Sequence, residues 1–227
     1  MTPHIKNKKI NRTNSLGLQV CFVACILFAC CFCLTVKAEA LCSYQTYTWN
    51  TNEKKAVHYQ LINKNYKELT AEEVDAFTGC SVCEQDQSLI NIPPVIPFKV
   101  CHVIAPSLSK IITKLLHQGQ ALHSITGYRV GKTRGDLDKN GNRTKFSNHS
   151  YGIAIDINEA ENGLYDNCLR FNRQCRLIRG GHWVPGKSAS LTKDSEIVRA
   201  LDAIGLKWGG VIPGKQKDFM HFSPTGY

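Results

Sequence analysis

The stretch Ser147-Asn-His149-Ser-Tyr-Gly152-Ile-Ala154-Ile-Asp156 restricts the folds open to this chain more than any other feature. It sets an imidazole and a carboxylate seven residues apart, with small residues between them. From Tyr151 the residues alternate as in a half-buried strand: Tyr151, Ile153, Ile155 and Ile157 on one face, Gly152, Ala154, Asp156 and Asn158 on the other. The second face has little bulk beside a carboxylate, which suits a metal ion with a substrate lying over it. A buried Asp without a partner is costly, so Asp156 requires a cation or several hydrogen bonds. His149 has the wrong parity for that face and is expected on a loop just before the strand.

Near the C-terminal end, Leu206-Lys-Trp208-Gly209-Gly210 leads to Asp218-Phe-Met-His221-Phe222. His221 supplies a third ligand and Asp218 a second carboxylate. Two His and one Asp make a three-ligand Zn²⁺ site that leaves a fourth position for water. Asp218 is then free to take that water's proton. Residues three apart point to opposite faces of a regular strand. Asp218 is therefore expected in a turn or bulge leading into the strand, leaning over the metal.

At these residues the chain resembles a known family. The pattern S-x-H-x-x-G-x-A-x-D, followed by W-G-G and D-x-x-H-F, is similar to that of the D-alanyl-D-alanine carboxypeptidase family of zinc metallopeptidases, over roughly Pro94 to Tyr227. That family shares its fold with lysostaphin-type endopeptidases and the hedgehog domain. The resemblance implies one Zn²⁺ held by His149, Asp156 and His221, with Asp218 as general base and Ser147 as a supporting, substrate-side residue. It also implies an arginine that holds a substrate carboxylate or carbonyl, a task suited to a guanidinium fork. Thr126-Gly-Tyr128-Arg129 resembles the family's Gly-Tyr-Arg element, and Arg134-Gly135 is a competing match. The implied substrate is a peptidoglycan stem peptide, cut by a carboxypeptidase that releases terminal D-Ala, or by an endopeptidase. An exported, non-catalytic zinc-containing wall-binding module is the alternative of a different class. Asp218 weighs against that alternative, since a binding-only module has no use for a carboxylate beside the metal.

The fold class expected is α+β: a small, mainly antiparallel sheet flanked by helices, with the zinc site on the sheet face. The 227 residues divide into a targeting segment (1–40), an N-terminal extension (41–93) and a catalytic domain (94–227). Lys6, Lys8, Lys9 and Arg12 precede an uncharged, mostly apolar run from Leu16 to Val36, followed by Ala38-Glu39-Ala40. That order reads as a secretory signal cleaved after Ala40. The run is also long enough to span a bilayer, so an uncleaved anchor over residues 16–36 is the alternative. Either way the protein is exported, to a periplasmic or extracellular site, and membrane contact is confined to that segment.

Five cysteines lie in the apolar run; Cys42, Cys80, Cys83, Cys101, Cys168 and Cys175 remain. An even number in an exported chain reads as disulfides. The local candidates are Cys168 with Cys175, and one of Cys80 or Cys83 with Cys101. Cys80-Ser-Val-Cys83 has redox or zinc spacing as well, but no second such pair or thioredoxin-like pattern accompanies it. Of the formal charge of +10, the part from Leu41 onward keeps 23 basic against 17 acidic residues, or +6. This mild excess suits anionic wall polymers; no nucleic-acid motif is present. Arg170, Arg173, Arg176 and Arg179 recur every third residue, as a wall-polymer contact or a solvated loop.

Local signals place the elements. Tyr44 to Trp49 reads as an edge strand, and Thr70-Ala-Glu-Glu73 as the capping box of a short helix ending near Gly79. Leu108, Ile111, Ile112, Leu115 and Leu116 carry helical spacing, ending before Gly119. Leu122 to Val130 and Tyr151 to Asn158 read as strands, and Glu159 to Ser190 as a long loop. Thr192 is expected to cap a helix whose inner face is Ile197, Val198, Leu201 and Ile204, ended by Gly205. Asp136-Leu-Asp138-Lys-Asn140-Gly141-Asn142 matches half of an EF-hand loop, but Ser147 stands where the bidentate Glu belongs, so a polar turn is expected. Asn142 and Asn148 lie in glycosylation sequons beside the proposed site, where a glycan on Asn148 would crowd it. His182-Trp183 is either cleft lining or packing.

Overall fold

The computed structural model describes residues 40–227. Apart from Ala40, the expected signal or anchor lies outside them. Leu41–Asn50 (β1) and Lys55–Asn65 (β2) form a long antiparallel hairpin, in register from Leu41↔Asn65 to Asn50↔Lys55 with one bulge. Tyr44, Thr46, Tyr47, Thr48 and Trp49 supply the β-branched and aromatic residues that favour extended chain. Gln87–Ile90 (β3) and Phe98–Cys101 (β4) make a second hairpin. Ala105–His117 (α1) buries Leu108, Ile112 and Leu115 on one face, as the spacing predicts, and Gly119 at φ +73° turns the chain out of it.

The next segment is built of short strands: Ile125–Thr126 (β5), Lys132–Leu137 (β6), Arg143–Phe146 (β7) and Ile155–Ile157 (β8). Leu164–Asp166 (β9) and Arg176–Arg179 (β10) follow, then the helix Glu196–Asp202 (α2). Lys207–Trp208 (β11), Lys217–Asp218 (β12) and His221–Ser223 (β13) complete the chain. The sheets run β2-β1-β6-β7, β10-β9-β12, β11-β13-β8-β5 and β3-β4. The class is α+β, with strand pairs antiparallel except the single Thr48↔Lys132 bridge between β1 and β6.

One sheet positions the candidate site. In β11-β13-β8-β5, Ile155, Ile157, Trp208 and Phe222 join Leu108, Ile112, Leu115 and Leu201 of the two helices in the main core. Alternation along β8 sends Asp156 away from that core. Three disulfides, Cys42–Cys83, Cys80–Cys101 and Cys168–Cys175, use all six cysteines after Ala40. The Cys80-x-x-Cys83 pair is thus split between two bridges. Among the described residues no helix is long and apolar enough to cross a membrane.

Several expected elements take other forms. β1 is an inner strand, because β6 covers its second edge. Thr70 to Gly79 forms one 3-10 turn, Ala71–Glu73, with the Glu73 carboxylate accepting from the Thr70 N–H and hydroxyl. The strand expected over 151–158 shrinks to 155–157, since Asn148–Tyr151 coils into a 3-10 turn closed by Gly152 at φ +68°. Only Ile125 and Thr126 pair in the stretch 122–130. The supposed loop 159–190 contributes β9 and β10, and the cap position of α2 is Ser195 rather than Thr192. The EF-hand lookalike is a polar turn: Asp138 accepts the N–H groups of Asn140 and Asn142 and the Asn142 amide.

Candidate metal centre

His221 and Asp156 face each other across β13 and β8 as register partners, next to the pair Phe222↔Ile155. Antiparallel pairing therefore converts 65 residues of separation into one cross-strand contact, His221 Nδ1 to Asp156 Oδ1 at 3.0 Å. His149 comes from the 3-10 turn before β8. Gly152 closes that turn in the left-handed region, and its own N–H returns to the His149 carbonyl. A Cβ at Gly152 would lie 1.9 Å from Gln87 Oε1 and 2.5 Å from the Cys101 nitrogen, so only glycine fits.

His149 Nε2 sits 3.1 Å from Asp156 Oδ1 and 3.2 Å from His221 Nδ1. Its Nδ1 lies 2.8 Å from the Gly127 carbonyl, which can only accept. Nδ1 therefore carries the proton, and the Nε2 lone pair points at the other two donors. The three atoms form a triangle with edges of 3.0–3.2 Å. Ligands about 2.0–2.1 Å from a tetrahedral metal stand about 3.3 Å apart, so the triangle fits one face of such a site. His149, Asp156 and His221 are 2–3 % exposed. Among the described residues they are the one group of three or more His, Cys, Asp or Glu placed to hold a metal ion.

The electrostatics agree with this fit. Burial lowers the His149 pKa, which keeps the ring neutral and free to ligate. Burial alone would raise Asp156, but the neighbouring imidazoles of His149 and His221 hold it well below the usual carboxylate range.

Asp218 belongs to β12, which pairs with β9 in a different sheet from His221. Asp218 thus lies in a short strand rather than in the turn or bulge expected for it, and the chain bends after it, at Phe219–Met220 between the two sheets. Trp208 and Gly209 brace this bend. The Trp208 indole donates to the Phe219 carbonyl at 2.7 Å, and a Cβ on Gly209 would lie 2.5 Å from the Asp218 carbonyl. The W-G-G motif thus has a physical reason. Asp218 Oδ1 is buried with no hydrogen-bond partner, as are Ser147 Oγ, Arg129 Nε and His221 Nε2. Burial pushes the Asp218 carboxyl up to about 6, with His221 opposing and Asp156 adding to the rise.

Residues 140–224 match the family model described as D-alanyl-D-alanine carboxypeptidase. This stretch, well under half of the chain, is similar to that family. The match spans Ser147, His149, Asp156, Asp218 and His221, whereas both candidate arginines lie upstream of it. No curated protein and no solved structure matches the chain. The likeness supports a peptidase, and the group of His149, Asp156 and His221 could hold a metal ion. Its three disulfides suit a periplasmic or extracellular setting.

The two arginines differ. Arg129 Nη2 donates to Asp156 Oδ2 at 3.0 Å. The Arg134 side chain, on β6, has no hydrogen-bonded partner among the described residues, although it feels the charges of Asp218 and Asp156. Burial lowers its pKa, with Asp218 opposing. Gly127 has a part that the sequence did not announce, since a backbone carbonyl carries no residue signature. Trp183 turns out to be packing: it stacks on Phe219 at 3.8 Å between ring centres and donates to the Leu191 carbonyl. Arg176 and Arg179 pair with Asp166 and Glu159, while Arg170 and Arg173 stay exposed. The Asn148 amide donates to the Tyr227 carbonyl and the Thr225 hydroxyl.

Proposed function

We propose that the protein is a zinc-dependent peptidase that removes the terminal D-alanine from peptidoglycan stem peptides. The observation that carries this reading is the buried triangle of His149, Asp156 and His221, with Asp218, whose Oδ1 is buried and unpartnered, within electrostatic reach of His221 and Asp156. Two imidazole nitrogens and one carboxylate oxygen suit Zn²⁺. When bound, such an ion polarises the scissile carbonyl and lowers the pKa of water. Asp218 takes the proton of the attacking water at its carboxylate. As the new C–O bond forms and the C–N bond breaks, Asp218 returns that proton to the leaving amine nitrogen.

Arg134 supports a carboxypeptidase over an endopeptidase. A partly desolvated guanidinium without a carboxylate partner is unfavourable unless a ligand supplies one. The terminal carboxylate of a stem peptide does so, in a bidentate geometry suited to Arg. Ser147 Oγ adds a hydrogen bond to the peptide. Residues 1–40 serve export, 41–93 are an extension on the catalytic part 94–227, and exposed Arg170 and Arg173 are available to anionic wall polymers.

The test is mass spectrometry of muropeptides incubated with the protein, with chelator, and with Zn²⁺ restored. Loss of one terminal alanine, abolished by chelator and regained with Zn²⁺, is the expected result. An internal cut would make it an endopeptidase. Binding without any cleavage would leave the wall-binding module.

A further inference from the structure

The two oxygens of Asp156 are divided between two neighbours. Oδ1 meets His149 Nε2 and His221 Nδ1, while Oδ2 accepts from Arg129 Nη2. The backbone N–H of Arg129 also donates to the His149 carbonyl at 3.1 Å, and Gly127, two residues earlier, holds the His149 ring. The strap between them is itself fixed: the Tyr128 N–H bonds to the Lys99 carbonyl, and its hydroxyl to Val82 O. Residues 127–129 thus touch two of the three ligands at once. Resting on the metal-centre reading above, we propose that Arg129 is a positioning residue for the metal, holding Asp156 to ligation through Oδ1 alone, while Arg134 serves the substrate.

The sign of the effect on metal affinity separates this role from simple charge. A cation next to a dication repels it, so if Arg129 acted only through charge, removing it would tighten metal binding. If it acts by holding the carboxylate, removing it frees Oδ2 and weakens binding by about 10- to 100-fold. Metal-stripped wild type, Arg129→Met, Arg129→Lys and Arg134→Met would be titrated with Co²⁺, following its visible absorption, and with Zn²⁺ against a competing chelator. Circular dichroism identifies any variant that fails to fold. Lysine keeps the charge but carries it as a compact ammonium in place of the planar guanidinium whose Nη2 reaches Oδ2. We expect both Arg129 variants to lose affinity and to shift the Co²⁺ spectrum toward higher coordination. Arg134→Met should bind metal like wild type yet raise KM for a peptide with a free carboxylate. Unchanged or tighter metal binding by folded Arg129→Met or Arg129→Lys would overturn the assignment. Failure of wild type to bind either metal would remove the metal-centre reading itself.

Discussion

At the scale of single residues, Asp218 is the side chain whose surroundings differ most from those of a free carboxylate. Burial raises it to about 6 in the metal-free protein, and a dication nearby would favour its charged form and bring it back down. Carbon NMR of the Asp218 carboxyl should therefore show a midpoint near 6 without metal and a lower one after Zn²⁺ is added. Since only the ionised carboxylate accepts a proton, activity must fall as pH drops through the metal-loaded midpoint. Asp218→Asn should reduce kcat roughly 10²- to 10⁴-fold while Zn²⁺ affinity is kept. Equal kcat in that variant would remove Asp218 from the proton path. The grouping of His149, Asp156 and His221 was legible in the sequence because few arrangements explain an imidazole, a carboxylate and small residues at that spacing. The partner of Arg129 was not legible, since ion pairing depends on where the strap at 127–129 folds back onto β8.

At the scale of elements, the turn carrying His149 depends on Gly152. Alanine there would be strained at φ +68° and would drive a methyl into Gln87 Oε1 and the Cys101 nitrogen. Gly152→Ala should cost about 2 kcal/mol or more, measurable by denaturant unfolding, and should weaken metal binding by displacing His149. A second element-level knot lies away from the site. Glu73 accepts from Tyr44 Oη of β1, Lys64 Nζ of β2 and the Thr70 N–H and hydroxyl. Burial by itself would raise its pKa, but these bonds, led by Lys64, outweigh it and hold Glu73 at about 2. A depressed carboxylate stabilises the fold fully above its unfolded value, about 4.3. That contribution, a few kcal/mol, fades as pH falls from there toward 2. Glu73→Gln should therefore flatten the acid limb of thermal midpoint against pH between about 4.5 and 2, and an unaltered limb would discount the knot. The helices were readable because α1 and α2 each bury one face. β8 was misjudged in length because Ile153 to Asn158 are buried on both sides, where alternation carries no information about where pairing stops. β9 and β10 were missed because a polar, Arg-rich segment supplies two strands of a small sheet whose third, β12, pairs with β9 from about 50 residues further on.

At the scale of the whole molecule, the disulfides tie the outlying strands to the metal centre unequally. Cys42–Cys83 joins β1 to the segment before β3, and Cys80–Cys101 joins that same segment to the end of β4. The Cys101 N–H then bonds to the Gly152 carbonyl at 2.8 Å, one turn from His149. Cys168–Cys175 instead closes a short loop between β9 and β10. Loop-closure entropy ranks them: separations of 41 and 21 residues give about 4 and 3.4 kcal/mol, and a separation of 7 about 2.5 kcal/mol. Stability alone therefore distinguishes the bridges only modestly, but their routes to His149 differ sharply. Replacing Cys80 and Cys101 by serine should lower the thermal midpoint and also speed metal release, because the Gly152 anchor loosens with β4. Replacing Cys168 and Cys175 should lower the midpoint less and leave metal release unchanged. Equal metal release from both double variants would mean that the centre is held by its own sheet, β13 against β8, and owes nothing to the stapled N-terminal strands.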